Sequence, residues 1–188
     1  WLMGIQRRYP AAEAGFRQAI AVCEQVHGKD NSHLTRLYGY LSEPQFFQQE
    51  FADAEASLRK ALRIATALKG EADGDALNIQ SRLGVLLVRT ARTQEGLAQL
   101  AQASAVVEKT RGMDDALYTP MIDEMYGRSL AESGRLQEGI RYLTTVIDTW
   151  RRYRADSNYI MGALEEEAEA RIATGDFADC SPTNSTVP

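Results

Sequence analysis

The chain has 188 residues, of which 44% are hydrophobic and 25% are charged, and its formal net charge is −5. This composition predicts a soluble globular chain with enough residues for one core-bearing domain or one repeat array. Charged or amide residues interrupt every apolar stretch before the roughly 18 residues that a membrane helix needs, so no membrane span is predicted. The acidic balance also argues against nucleic acid and anionic membranes as partners.

Two features of the chain bear on its cellular context. The two cysteines, Cys23 and Cys180, are too few for a disulfide framework and favour a reducing, cytoplasmic location. The chain starts at Trp1 instead of a methionine, so we expect it to continue upstream, where an enzymatic domain or a signal peptide could lie.

An internal repeat of about 42 residues is the strongest signal in the sequence. Residues 9–19 read YPAAEAGFRQA, and residues 51–61, which begin 42 positions later, read FADAEASLRKA. Weaker copies follow at 93–103 and 136–146, and a fifth begins at Phe177 and stops almost at once.

Each period contains two helical patterns, with apolar residues at i, i+3, i+4 and i+7. In chain order, helices are predicted over 10–27, 33–49, 51–69, 75–91, 93–110, 118–133, 136–153 and 159–175. We call the first, third, fifth and seventh of these the B helices, and the others the A helices. Glycine followed by aspartate predicts turns from B to A near Gly28, Gly70 and Gly112. No strand-like alternation is present, so the predicted fold class is all-α.

Small residues recur where an A helix and its B helix would cross. They are Ser42, Gly84, Gly127 and Ala168 on the A helices and, twelve residues later in each case, Ala54, Gly96, Gly139 and Cys180 on the B helices. Helices whose axes approach within about 8–10 Å leave no room for large side chains at the crossing. This pattern resembles the tetratricopeptide repeat. The period near 42 is similar to the longer subtype found in kinesin light chains and in arrays of bacterial multidomain regulators.

The resemblance implies a right-handed α-solenoid whose A helices line a concave groove. It predicts one array over residues 1–180. The array consists of a half repeat (1–32), repeats at 33–74, 75–116 and 117–157, and a C-terminal capping helix at 158–180. The turn-rich segment 181–188 is predicted to be a disordered tail.

By the geometry of that family, eight side chains are candidates for a partner-binding groove: Arg36, Tyr40, Phe46, Phe47, Asn78, Arg82, Arg89 and Arg128. The arginines would pair with carboxylates and the aromatic rings would anchor apolar groups, so the predicted ligand is an acidic protein segment. The alternative is that the arginines only solvate the inner surface and pair with Glu43 and Glu124. Kinesin light chains carry asparagine at positions that here hold Tyr40, Arg82, Met125 and Glu166, so their cargo binding is not carried over.

Other residues have simpler interpretations. Pro44 is expected to kink or end its helix, with tolerated packing favoured over a functional tilt of Phe46 and Phe47. Trp150 falls at an apolar position of a B helix and is predicted to be core, and Cys23 is predicted to be a small buried hydrophobe. His27 and His33 lack the further ligands of a metal site.

The sequence carries no phosphate-binding loop, nucleophile elbow or metalloprotease motif, so neither an enzyme nor a cofactor is predicted. The predicted function is a protein–protein interaction scaffold. One alternative is a regulatory or sensory module at the C-terminal end of a bacterial signalling protein, such as a serine/threonine kinase or a transcriptional regulator. A second alternative is a self-association module.

Overall fold

Turn signals at regular spacing divide the chain into helices. The computed structural model describes residues 8–110, 118–152 and 157–175, and within these it contains eight helices and no strand. The helices are α1 (Tyr9–His27), α2 (Ser32–Phe47), α3 (Phe51–Lys69), α4 (Gly74–Arg89), α5 (Thr93–Thr110), α6 (Tyr118–Glu132), α7 (Leu136–Arg152) and α8 (Ser157–Thr174). The all-α prediction is confirmed, and the predicted helix ends lie within two residues of the observed ones.

The turns from B helices to A helices use the residues that the sequence indicates. Gly28 (φ 78°) follows α1 and Gly70 (φ 90°) follows α3, both in the left-handed region that glycine adopts without strain. Side chains then cap the next helix: the Oδ1 atoms of Asn31 and Asp73 accept hydrogen bonds from the backbone N–H groups of Leu34 (3.2 Å) and Asp75 (3.1 Å). The turn predicted at Gly112 lies outside the described residues.

The turns from A helices to B helices correct the predicted ends of two helices. Gln49 and Ala91 adopt a left-handed conformation with φ 64°, and Gly134 does so with φ 87°. One residue later, a backbone N–H donates back to a carbonyl five residues upstream: Glu50 to Gln45 (2.8 Å), Arg92 to Leu87 (2.9 Å) and Arg135 to Leu130 (2.9 Å). This Schellman geometry ends α2 and α4 two residues earlier than predicted. Pro44 does not end α2, which continues through it to Phe47.

Three of the predicted crossings lie within the described residues, and small residues occupy them as predicted; the crossing predicted between Ala168 and Cys180 lies outside the described residues. The backbones of α4 and α5 nearly touch, because a Cβ atom added at Gly84 would lie 2.9 Å from the carbonyl oxygen of Gly96. The converse distance, from a Cβ atom at Gly96 to the carbonyl oxygen of Gly84, would be 2.5 Å. Gly127 and Gly139 meet in the same way between α6 and α7. Close backbone approach therefore recurs at the period of the sequence.

The chain divides into two compact units, Trp1–Tyr126 and Gly127–Pro188. In the first unit each of α1 to α4 packs on the helix that follows it, and in the second α7 packs on α8. This packing of consecutive helices is that of an α-solenoid and confirms the predicted fold class. The limits of the individual repeats remain predictions, and the predicted tail at 181–188 lies outside the described residues.

Apolar side chains of successive helices fill the core of each unit. The first unit buries Leu34, Leu41, Leu58, Leu83 and Leu87, among others. Cys23 is buried with them, as predicted. In the second unit α7 packs on α8, and the buried residues include Leu143, Val146 and Trp150 of α7 and Ala163 and Ala170 of α8. The prediction that Trp150 is a core residue is confirmed, since only 2% of it is exposed.

Candidate functional site

The A helices α2 and α4 of the first unit lie close together at Gly39, which has no side chain. A Cβ atom at Gly39 would lie 2.7 Å from the Cδ1 atom of Ile79 and 3.7 Å from the Nη1 atom of Arg82. Glycine at this position therefore lets the Arg82 side chain of α4 lie directly against α2. Tyr40 and Glu43 of α2 are close enough to act on its charge.

The half-buried guanidinium of Arg82 has no direct partner among the described residues. Burial lowers its pKa, and the electrostatic effects of Glu43 and Tyr40 oppose that lowering. Within the part of the chain that the structure describes, Arg82 makes no hydrogen bond or ion pair. A guanidinium keeps its proton in proteins, so this surface holds a positive charge that is only partly solvated.

A cluster of aromatic rings surrounds the turn between α2 and α3. The ring of Phe47, which is 51% exposed, stacks on that of Tyr9 with centroids 4.7 Å apart. Phe46 lies edge-on to Phe47 (5.7 Å) and 5.5 Å from Phe51. The guanidinium carbon of Arg89 sits 5.8 Å from the centre of the Phe46 ring, within the range of a cation–π contact. Two predicted site residues, Phe46 and Arg89, are thus brought together.

The remaining candidates of the first unit lie along the same two helices. Tyr40 is half exposed, and its ring lies 6.1 Å from that of Phe16. Arg36 is exposed, with its Nη2 atom 3.5 Å from the Nδ1 atom of His33. Asn78 is half-buried on α4. Together with Arg82 and Arg89, this set provides hydrogen-bond donors, one half-exposed phenol ring and, at Arg89, one guanidinium next to an aromatic ring.

Arg128 belongs to the second unit and has its own partner. Its Nη1 atom lies 3.6 Å from the Oε1 atom of Glu166 on α8, and its buried Nε–H has no hydrogen-bond acceptor in the part of the chain that the structure describes. Burial raises the pKa of Glu166, Arg128 lowers it, and the charges of Glu132 and Glu169 raise it further. Arg128 therefore forms an ion pair with an acid of its own unit, of the kind that the solvated-surface alternative expects.

The sequence did not indicate several residues that shape these surfaces. Tyr9 stands out in the sequence only as a repeat marker, although an aromatic residue recurs at Phe51 one period later. A buried pair was also missed: the Ser104 hydroxyl donates to the Oδ1 atom of Asp123 at 2.7 Å. Asp123 is buried on the A helix α6. Because a carboxylate does not belong to the apolar pattern, the sequence did not indicate that burial.

Two further observations concern metals and membranes. The rings of His27 and His33 lie 5.6 Å apart, and no group of three or more His, Cys, Asp or Glu side chains able to hold a metal ion occurs in residues 8–110, 118–152 and 157–175. Over the same residues, every helix is too short or too polar to cross a membrane.

Comparison with known proteins agrees with the repeat assignment. The family model of the tetratricopeptide repeat matches residues 2–33. No curated protein matches the sequence significantly. The resemblance to the tetratricopeptide repeat that the sequence indicates is supported by this match and, for the fold, by similar solved structures.

Three of these solved structures illustrate the similarity. BtubC (BKLC) of P. vanneervenii superposes with a TM-score of 0.71 at 14% identity, over 90% of this chain and 67% of BtubC. A protein of Podosopora anserina, assigned to the kinesin light chains and built of nearly identical TPR-like repeats, gives a TM-score of 0.65 at 18% identity, over 93% and 85%. The apo form of RapI gives 0.70 at 11% identity, over 94% of this chain and 62% of RapI. At these identities the likeness concerns the fold alone.

Proposed function

We propose that this chain, with its tetratricopeptide-like repeats, is a protein-interaction module that binds an acidic segment of a partner protein along α2 and α4. Arg82 is the principal anchor in this proposal. It is half-buried and has no direct partner among the described residues, and burial lowers its pKa. A carboxylate that reached it would replace lost hydration with a charge-assisted, two-pronged hydrogen bond.

The surroundings of Arg82 supply the rest of the site. Tyr40 presents a half-exposed ring one residue beyond the glycine contact, and Arg89 lies against Phe46 further along α4. Aromatic and arginine side chains provide most of the energy at protein interfaces. Because the whole chain has a net charge of −5, long-range attraction of an acidic segment is weak, and its recognition depends on these local contacts.

The test is a binding screen of a peptide array in which each acidic peptide is paired with its amide-substituted counterpart. The wild-type chain is compared with the Arg82→Gln/Arg89→Gln variant. The matched control is Arg63→Gln/Arg141→Gln, which removes the same charge from exposed positions on two B helices. We expect Arg82→Gln/Arg89→Gln to lose about tenfold or more in affinity for acidic peptides, the control to lose little, and added salt to weaken binding.

Circular dichroism of each variant confirms that helicity is unchanged. Equal losses in both double variants would mean that only net charge matters, and the proposed anchor would be wrong. Binding that is insensitive to salt, or that prefers the amide-substituted peptides, would also contradict the proposal.

A further inference from the structure

Glu43 is a second charged side chain on the surface that α2 and α4 form, called here the α2–α4 surface. It lies on α2 one helical turn beyond Gly39, and therefore on the same side of the helix as the contact with Arg82. Glu43 is exposed, and among the described residues it forms no hydrogen bond or ion pair. Its charge nevertheless acts on Arg82, since it opposes the lowering of the Arg82 pKa by burial. Two opposite charges thus adjoin on this surface without a direct bond.

Arginine and glutamate side chains elsewhere in the first unit do form direct ion pairs. The Nη2 atom of Arg92, for example, lies 2.6 Å from the Oε2 atom of Glu95, and both side chains are exposed. Arg82 differs because its side chain lies against Gly39 and is half-buried. A guanidinium in that position stays apart from the exposed Glu43 carboxylate. Each of the two charges therefore keeps its capacity to bind a group of a partner.

The two charges favour different groups in a bound segment. A carboxylate that binds Arg82 also comes near the Glu43 carboxylate, and like charges at such a separation repel each other. A second acid in the segment would add to that repulsion. A lysine or arginine in the segment would instead pair with Glu43 and offset the repulsion. An acid next to a base is therefore a better match for this surface than a run of acids.

We propose that the bound segment has mixed charge, with a carboxylate on Arg82 and a lysine or arginine on Glu43. This rests on the proposed function, since it names the kind of acidic segment that the α2–α4 surface selects. Glu43 is then the residue that sets specificity, because it disfavours segments whose only charges are negative. The net charge of −5 acts in the same direction, since it repels a strongly acidic partner more than one whose charges balance.

The geometry of α2 limits the spacing of the two charged groups in the segment. Gly39 and Glu43 are four residues apart, or about 6 Å along the helix axis. In an extended segment, side chains on one side are two residues, or about 7 Å, apart. In a helical segment, neighbours on one face are three or four residues apart, with Cβ atoms separated by about 5–6 Å. The base is therefore expected within four residues of the acid.

Calorimetric titration with synthetic peptides tests the proposal. Each peptide keeps one glutamate and carries a single lysine at one of the four positions on either side of it, and its counterpart has glutamine in place of the lysine. We expect the wild-type chain to bind the best lysine peptide about fivefold more tightly than its counterpart. Glu43→Gln should remove this preference. The matched control Glu108→Gln, which removes an exposed carboxylate from the B helix α5, should retain it.

A charge swap gives a result that a damaged fold cannot produce. Glu43→Lys should bind a peptide with a second glutamate in place of the lysine more tightly than it binds the lysine peptide, which reverses the order found for the wild type. Circular dichroism checks that the helicity of each variant is unchanged. Equal binding of lysine and glutamine peptides by the wild type would overturn the proposal, as would a lysine preference that Glu43→Gln retains.

The same titrations separate a failure of this proposal from a failure of the proposed function. If Arg82→Gln/Arg89→Gln weakens the binding of acidic peptides while the Glu43 variants leave the choice between lysine and glutamine unchanged, the α2–α4 surface binds acids but does not select mixed charge. If Arg82→Gln/Arg89→Gln binds every peptide as the wild type does, the proposed function is wrong, and the mixed-charge proposal is wrong with it.

Discussion

The crossing of α2 with α3 and that of α4 with α5 occupy the same place in successive repeats but are built differently. Gly84 and Gly96 let the backbones of α4 and α5 approach until added Cβ atoms would clash. Ser42 and Ala54 fill the equivalent positions of α2 and α3, and both are buried. The repeat thus requires small volume at the crossing and does not require glycine.

The crossing of α2 with α3 is joined by a polar side chain. Gln45 of α2 is 1% exposed, and its amide lies 2.8 Å from the hydroxyl of Ser57 on α3. In the orientation that satisfies its neighbours, the NH2 group donates to Ser57 and lies near the carbonyl oxygens of Leu41 (3.3 Å) and Asp53 (3.2 Å). One crossing is therefore held by close backbone contact and the other by a buried hydrogen-bonded amide.

The largest loss of stability is expected at the crossing of α4 with α5. Gly84→Leu places a side chain where the Cγ atom of Leu100 lies 2.7 Å from the new Cβ, so the helices must separate. Overpacking of this kind should lower the free energy of unfolding by on the order of 1–3 kcal/mol. Urea unfolding measures this loss. The control is Gly15→Leu on α1, where an added Cβ meets nothing within 4 Å and no loss is expected. An unchanged melting temperature for Gly84→Leu would mean that the repeat register is wrong.

The stability of the crossing of α2 with α3 should depend on the Gln45 amide. Gln45→Leu removes the partner of the buried Ser57 hydroxyl and should cost about 1–3 kcal/mol of unfolding free energy. The double variant Gln45→Leu/Ser57→Ala leaves no unsatisfied hydroxyl, and we expect it to be more stable than Gln45→Leu alone. Denaturant titrations of Gln45→Leu, Ser57→Ala and the double variant give the three losses of unfolding free energy. If the loss in the double variant equals the sum of the other two, the amide and the hydroxyl are not coupled as described.

The smallest expected change in stability concerns the turns after α2 and α4, where Gln49 and Ala91 take the left-handed conformation that glycine takes in the other turns. Ala91 adopts a left-handed conformation that costs an L residue roughly 1–2 kcal/mol, so Ala91→Gly should raise the unfolding free energy by about 1 kcal/mol. Ala101→Gly, in the interior of α5, should lower it by about the same amount. A destabilising effect of Ala91→Gly in thermal melts would contradict the assigned turn.

Periodicity accounts for what the sequence predicts well. Helix positions, the small residues at the crossings and the burial of Trp150 all follow from spacing, because each repeat imposes the same packing on its neighbours. The left-handed turns at Gln49 and Ala91 could not be predicted, since neither residue type favours that conformation. The buried Gln45 amide was missed because its burial depends on Ser57, a partner in another helix.

The candidate site is less predictable than the fold for the same reason. The sequence places Arg82 on an A helix, but the half-buried position of its guanidinium depends on the space that Gly39 leaves in the neighbouring helix. The stacking of Phe47 on Tyr9 joins residues of different repeats. A pattern within one helix carries no information about such contacts, so the sequence indicates the surface and the structure is needed for its chemistry.

Because Cys23 is buried, the reactivity of its thiol can report how often α1 detaches. Only 8% of Cys23 is exposed, its Sγ atom lies 3.4 Å from the Oδ1 atom of Asn31, and among the described helices α1 packs chiefly against α2. Because so little of this side chain is exposed, we expect a thiol-reactive reagent to modify the sulfur much faster while α1 is detached from α2. In a chain whose Cys180 is replaced by serine, the alkylation rate would therefore report how often α1 detaches from α2, separately from global unfolding.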